Sequence, residues 1–371
     1  ALYGMKGANG VILITTKRGT DEKSKILFSL QSGLQSPTKT IDVLGAKDYM
    51  TLYNKASEND GLSAKYSQTD INSAGSSPRY PDVDWKKEVL KKFTSVTKAN
   101  LGVRGGSKYI KYFVNFGALL NNGIYKPANP DMAANANLTR LNFRSNFDVQ
   151  VTKSTIFSMD LAGRLDNKGY PAFNASDIWE AIYTLPPNAF NVINPNGTYG
   201  GTSLLMNNPV AMLETSGNNN SHDQFLNAGF RLHQDLGSII NGLSASIGYV
   251  LDNFSNTSDG KWRYFMVNQI APGSGEDYTY YNYGEDKQYS SWSNARSSRF
   301  ISYDASLNYQ MPSVGNHNLS IMARYQSDEQ WQQNSDLAPY LTRNAGSRIS
   351  YSYKNTYLIE FSGSYYGSEQ Y

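Results

Sequence analysis

Apolar and polar side chains alternate strictly along several stretches of this chain. Leu141, Phe143, Phe147, Val149 and Val151 take the odd positions of one stretch, with Ser145 among them, while Asn142, Arg144, Asn146, Asp148 and Gln150 take the even ones. Successive side chains of a strand point to opposite faces, so such a segment has one greasy face and one strongly polar face. The split recurs with Leu226, Ala228, Phe230 and Leu232 against Asn227, Arg231, His233 and Asp235. It recurs again with Ile301, Tyr303, Ala305, Leu307 and Tyr309 against Ser302, Asp304, Ser306 and Asn308. A chain patterned this way folds into antiparallel sheet whose two faces meet different surroundings.

The pattern predicts strands near 25–34, 97–105, 109–120, 138–151, 155–166, 223–236, 243–253, 296–311, 318–330, 346–353 and 356–366. Several reach the ~9–11 residues that cross a bilayer at a tilt. Their connections alternate in length. Long or medium segments at 35–96, 121–137, 167–222, 254–295 and 331–345 alternate with short ones such as Gly106-Ser107-Lys108, Thr152-Lys153-Ser154 and Lys354-Asn355. Short turns at one end and long loops at the other are the mark of an outer-membrane barrel, in which each strand shows lipid only every second residue. The spacing of Tyr49, Leu52, Tyr53 and Ala56 predicts a helix within the first long loop, and that of Trp85, Val89 and Phe93 a second one.

Composition agrees. Tyr occurs 28 times in 371 residues and aromatics make up 13%, yet the mean hydropathy is −0.52. No apolar run approaches the ~18–20 residues of a membrane helix. A net charge of +3 is too small to imply a nucleic-acid partner, and no Lys/Arg cluster suggests one. The absence of Cys removes disulfides, thiolate metal sites and a Cys nucleophile.

Against this background the first residues become informative. The run Ala1-Leu2-Tyr3-Gly4-Met5-Lys6-Gly7-Ala8-Asn9-Gly10-Val11-Ile12-Leu13-Ile14-Thr15-Thr16-Lys17 resembles the end of the plug domain of TonB-dependent receptors, most of all the SusC/RagA branch of Bacteroidota. Val83-Asp84-Trp85, Gly105-Gly106-Ser107 with Tyr112-Phe113-Val114, and Asn122-Gly123-Ile124 are similar to later blocks of that branch. Tyr357-Leu358-Ile359-Glu360-Phe361 followed by Tyr366-Gly367-Ser368 resembles a mid-barrel strand, with Ser364 and Tyr366 standing where Arg and Asp are common.

The resemblance implies an all-β antiparallel transmembrane barrel of 22 strands with a plug inside it. About half of that wall would lie here, with 1–20 as the C-terminal end of the plug, marked by Tyr3, Gly4, Gly7, Asn9 and Gly10, and 21–371 as the first half of the barrel. It further implies a non-enzymatic importer of oligosaccharides or peptides in the outer membrane of a Gram-negative bacterium. Its partners would be outer-membrane lipid, a SusD-like surface lipoprotein, and TonB through a region ahead of Ala1. The start of the chain carries neither a basic segment nor an initiator Met, and reads as cut from a longer precursor.

No residue pattern calls for a cofactor or a metal. Gly4, Gly7 and Gly10 precede a β-rich run rather than a helix, which suits backbone bends better than a phosphate loop. His222 and His233 lack usual zinc-ligand spacing. Glu276-Asp277 and Glu285-Asp286 lack the ordered oxygen pattern of a calcium loop. Loop aromatics are the candidate contacts for substrate or partner: Tyr170, Trp179, Tyr183, Tyr199, Trp262 and Tyr264, with Tyr278, Tyr280, Tyr281 and Tyr283 beside them. Two rival readings stay open here. One is a TonB-dependent siderophore or vitamin receptor. The other is a secreted soluble β-protein that binds carbohydrate or serves adhesion, whose outward strand faces would be polar.

Overall fold

A computed structural model describes residues 12, 16–126, 135–273, 277–312, 315–332 and 335–369. The plug-motif residues Tyr3, Gly4, Gly7, Asn9 and Gly10 lie outside the described residues.

The alternating segments form one antiparallel sheet of eleven strands, β1(Lys25–Gln35), β2(Thr94–Gly106), β3(Ile110–Asn121), β4(Asn137–Gln150), β5(Thr155–Pro171), β6(Gly217–Asp235), β7(Leu243–Trp262), β10(Ser290–Gln310), β11(His317–Gln332), β12(Ser335–Tyr353) and β13(Tyr357–Glu369). The strands lie side by side in chain order, as an up-and-down meander requires. A short hairpin, β8(Val267–Ile270) with β9(Tyr280–Tyr283), stands apart within the loop between β7 and β10. Tight connections sit at one end of the sheet; in the one after β12, Lys354 and Asn355 take left-handed backbone angles, φ 53° and 54°. Longer loops rise from the other end.

Several strands run further toward the loop end than alternation predicts. β6 begins at Gly217 rather than near 223, β7 continues to Trp262, and β10 begins at Ser290. The added segments are rich in Asn, Ser and Gly, so they carry no greasy face by which to recognise them. The expected connection 331–345 is instead mostly strand, because β11 reaches Gln332 and β12 starts at Ser335.

Burial is inverted relative to a soluble sheet. Leu101, Phe116, Leu141, Leu165, Leu226, Ile247, Tyr303, Leu307, Tyr325 and Ile349 are exposed. The opposite face holds buried Asn146, Asp166, Asp223, Ser246, Asn256, Ser302, Asp304, Thr342 and Asn344. Among the described buried apolar residues, only Ala228 and Pro171, the last residue of β5, belong to the eleven-stranded sheet. Removing a large apolar side chain from water is worth about 1.5–3 kcal/mol, so a face of half-bare Leu, Ile and Tyr left in water would rival the ~5–15 kcal/mol net stability of a domain. This face is built for hydrocarbon. The soluble-protein reading expected polar outward faces, and the exposed face of this sheet is apolar instead.

A conventional apolar core does exist, but it sits in the loops. α1(Ala46–Asn59) and α3(Trp85–Val89) occupy the helical spacings read from the sequence, and α2(Gln68–Ser73), α4(Ala175–Thr184) and α5(Pro209–Glu214) add to them. Trp85, Val89, Ile178, Ile182, Phe190, Met212 and Leu213 pack together from separate loops. Asp84 and Asn208 accept hydrogen bonds from the first turns of α3 and α5.

Candidate functional site: the polar face and its rim

The polar face is organised by charge pairing between strands. The Arg140 guanidinium donates to both oxygens of Asp166 at 2.7 and 2.8 Å, and Asp166 is 1% exposed. Arg231 forks onto Asp304 at 3.2 and 3.0 Å. Lys168 reaches Asp223 at 2.6 Å, which also accepts from Asn256. Two-pronged Arg–carboxylate pairs fix geometry as well as charge; here Arg140–Asp166 ties the neighbouring β4 and β5, and Arg231–Asp304 reaches from β6 across β7 to β10, both on the polar face.

Residues 16–18 dock on that same face. Arg18 donates to Asp148 at 2.8 Å and to Asp160 at 3.0 and 2.7 Å. The Asn146 amide donates to the Lys17 carbonyl at 2.6 Å and to the Thr16 hydroxyl at 3.3 Å. Asn146, Asp148 and Asp160 all belong to the polar positions of β4 and β5, so the segment leading into the barrel strands is seated against the wall's polar side. Beside it opens a concave space of about 1020 Å³, lined in part by Thr16, Lys17, Arg140, Arg144, Phe225 and Phe254. Phe225 and Phe254 lie 4.7 Å apart, and the Arg164 guanidinium covers Phe225 at 3.8 Å. A wet face thus carries an apolar patch roofed by cations.

The loop aromatics divide into two groups. Trp179, Tyr183 and Tyr199 pack against the loop core. Trp179 and Tyr183 stack with ring centroids 5.9 Å apart. The Tyr199 hydroxyl donates to Glu214 at 2.7 Å, and burial, then that carboxylate, pushes its pKa well above the ordinary range. Burial likewise raises Tyr125. Tyr170, Trp262 and Tyr264 are exposed, and Trp262 meets Tyr264 edge-on at 5.0 Å. Trp292, which sequence reasoning left in a loop, is exposed as well and stands opposite Gly260 in the β7–β10 register. The Ser290–Ser298 run around it is polar at almost every position, so no alternation marked it as strand.

His222, His233, Glu285 and Asp286 have structural partners. The His222 ring nitrogen contacts Asn167 at 2.9 Å and that of His233 contacts Ser246 at 3.0 Å. Lys287 pairs with Glu285 at 3.2 Å, and Asp286 accepts from the Met266 amide at 2.9 Å. Glu276 lies outside the described residues. Among the described residues no three His, Asp or Glu side chains converge as a metal site would require.

No family model matches the chain. It is 27% identical over 334 residues to TonB-dependent receptor P3 of Formosa agariphila, covering 88% of this chain and 29% of that protein. It is 29% identical over 130 residues to the TonB-dependent receptor SusC of Bacteroides thetaiotaomicron, covering 35% of this chain and 12% of that protein. A chain of the RagAB peptide transporter superposes with a TM-score of 0.69 at 16% identity, over 98% of this chain and 44% of that one. The RagAB peptide importer in its open-open state gives a TM-score of 0.71 at 17% identity, over 99% and 44%. This chain therefore spans only part of each relative's length. An open meander greasy on one side, TonB-dependent receptors as sequence relatives and RagAB as structural neighbour agree: the chain is similar to part of the TonB-dependent receptors of the SusC/RagA type.

Proposed function

We propose that the protein imports a nutrient, an oligosaccharide or a peptide, across the outer membrane, driven through TonB. The observation that carries this reading is the pairing of an exposed apolar face with a polar face on which residues 16–18 are seated. In this account 1–20 is the end of a plug and 21–371 is the first half of a 22-stranded wall. No covalent chemistry is involved. Cargo gathers among the extracellular loops, where Tyr170, Trp262 and Tyr264 offer exposed rings. Energy delivered from the inner membrane shifts the plug and opens a passage lined by the polar strand faces. A SusD-like lipoprotein would cover the mouth, resting on the rigid loop core. RagAB, the structural neighbour, is named as a peptide transporter, which supports a polymeric nutrient over a siderophore or vitamin.

The test is uptake by cells that carry the full-length receptor, supplied with candidate nutrients. Growth or uptake that requires the receptor should disappear on deletion of TonB or dissipation of the proton gradient. Receptor-dependent uptake that survives both treatments would overturn the reading.

A further inference from the structure

We propose that Tyr170, Trp262 and Trp292 form a stacking site for the rings of a neutral oligosaccharide at the loop-side rim of the polar face. The proposal rests on the importer reading, in which this rim meets incoming cargo, and it goes further by naming the cargo's chemistry.

Register places the three aromatics together. Tyr170 pairs with Asn219 on β6, Asn219 with Gly260 on β7, and Gly260 with Trp292 on β10. These positions form one row across four strands. They share a face with Asp223, Phe254 and Asp304 by period-two alternation, so the row belongs to the polar side. Trp262 lies two residues beyond Gly260 on β7 and therefore on the same face. Tyr170, Trp262 and Trp292 are 44%, 41% and 41% exposed, so each keeps a ring surface open.

The ladder neighbours of these rings are small, and beyond the ladder Tyr264 meets Trp262 edge-on at 5.0 Å. Trp262 stands between Gly217 on β6 and Ser290 on β10. Trp292 has a ladder partner on one side only, because the β10–β11 pairing begins at Ser298. Its indole lies across Gly260, where an added Cβ would come within 2.6 Å of its Nε1 and 2.3 Å of the Asn219 amide oxygen. Gly260 therefore supplies a gap that lets the indole lie flat along the row.

The polar groups between the rings are neutral. Asn219 occupies the row itself, and Ser221, Asn256 and Ser258 follow deeper on the same face. Charges near the row are already engaged: Lys168 with Asp223 at 2.6 Å, Arg296 over the Phe254 ring, and Lys287, above the Tyr264 ring that meets Trp262, with Glu285 at 3.2 Å. Flat aromatic faces alternating with amides and hydroxyls match a ligand with apolar ring faces and a hydroxyl edge. A free charge at the rim, such as would receive the terminus or side chain of a charged peptide, does not face the row among the described residues.

The full-length receptor, purified in detergent, would be titrated with neutral hexaoses of glucose, mannose, galactose and xylose, and with a neutral decapeptide. Wild type should bind at least one hexaose. Combined Trp262→Ala and Trp292→Ala should raise its Kd about tenfold, as two stacking contacts are worth. Gly260→Val should weaken the same binding by displacing the Trp292 indole. Trp331→Ala, whose ring sits beneath Arg299 on the opposite face, should leave it unchanged. Unaltered heat-modifiable mobility would show that the variants are folded. The proposal falls if no hexaose binds, if the decapeptide binds in their place, or if the double variant binds like wild type. TonB-dependent uptake that persists in the double variant at the wild-type rate would sink the rim site while leaving the importer reading intact.

Discussion

Arg140 and Leu141 are bonded neighbours, and one peptide unit carries the chain from one solvent to the other. Arg140 is clamped on Asp166, whereas Leu141 is 50% exposed. Arg18 extends the polar logic to the segment before the barrel. All three of its contacts end on carboxylates of β4 and β5, yet each partner is partly solvated. Screening therefore limits their worth to about 1 kcal/mol. Arg18→Ala should speed amide hydrogen exchange over Lys17–Thr20 about fivefold in the full-length receptor, the factor that energy corresponds to. Exchange unchanged from wild type would mean that other contacts hold the segment. Sequence showed that Asp148 and Asp160 face away from the apolar side, because alternation places them there. It could not show that Arg18 reaches both, since they are 130 and 142 residues away along the chain.

Strands were legible wherever their two faces differ, and invisible where they do not. The lower part of β6, with Leu226, Phe230 and Leu232 on one side, was evident from its pattern. Its upper part, Gly217-Asn218-Asn219-Asn220-Ser221, is polar on both sides and gives no period. The same cause hid the row that holds Trp292. The loop core was only half legible. α3 showed its apolar spacing, but Trp179, Tyr183 and Tyr199 read as free rings because their partners lie elsewhere in the same long loop and in other loops. This core is the element where pH should act. Burial raises the pKa of Tyr125 and Tyr199 above the ordinary 10.0. The folded loops keep these protons after an unfolded chain would lose them, so their stabilisation is full below pH 10 and declines as pH rises beyond it. Protease cleavage of the loops should therefore climb above about pH 10, and less steeply in Tyr199→Phe. Cleavage that stays flat into that range would contradict the burial of these phenols.

At the scale of the molecule, the sheet is a single layer, and no second layer covers it among the described residues. Its outer strands pair on one side only, and β1 is exposed along its whole length. Unpaired sheet edges invite further strands, and in the RagAB chains this fold covers only 44% of the whole. The central claim is that hydrocarbon lies on one side of this wall and water on the other. The chain contains no Cys, so single cysteines placed in it report without background from its own residues. The decisive measurement compares Leu141→Cys, Leu226→Cys and Leu307→Cys with Asn142→Cys, Asn227→Cys and Asn308→Cys in the full-length receptor in membranes. Each would be probed with a membrane-impermeant thiol reagent and with a fluorophore quenched by spin-labelled lipid. The account predicts that the three former Leu positions resist the aqueous reagent and are quenched from the bilayer, while the three Asn positions behave in the opposite way. Leu positions shielded from water and lipid alike, as in a sealed interior, would contradict it.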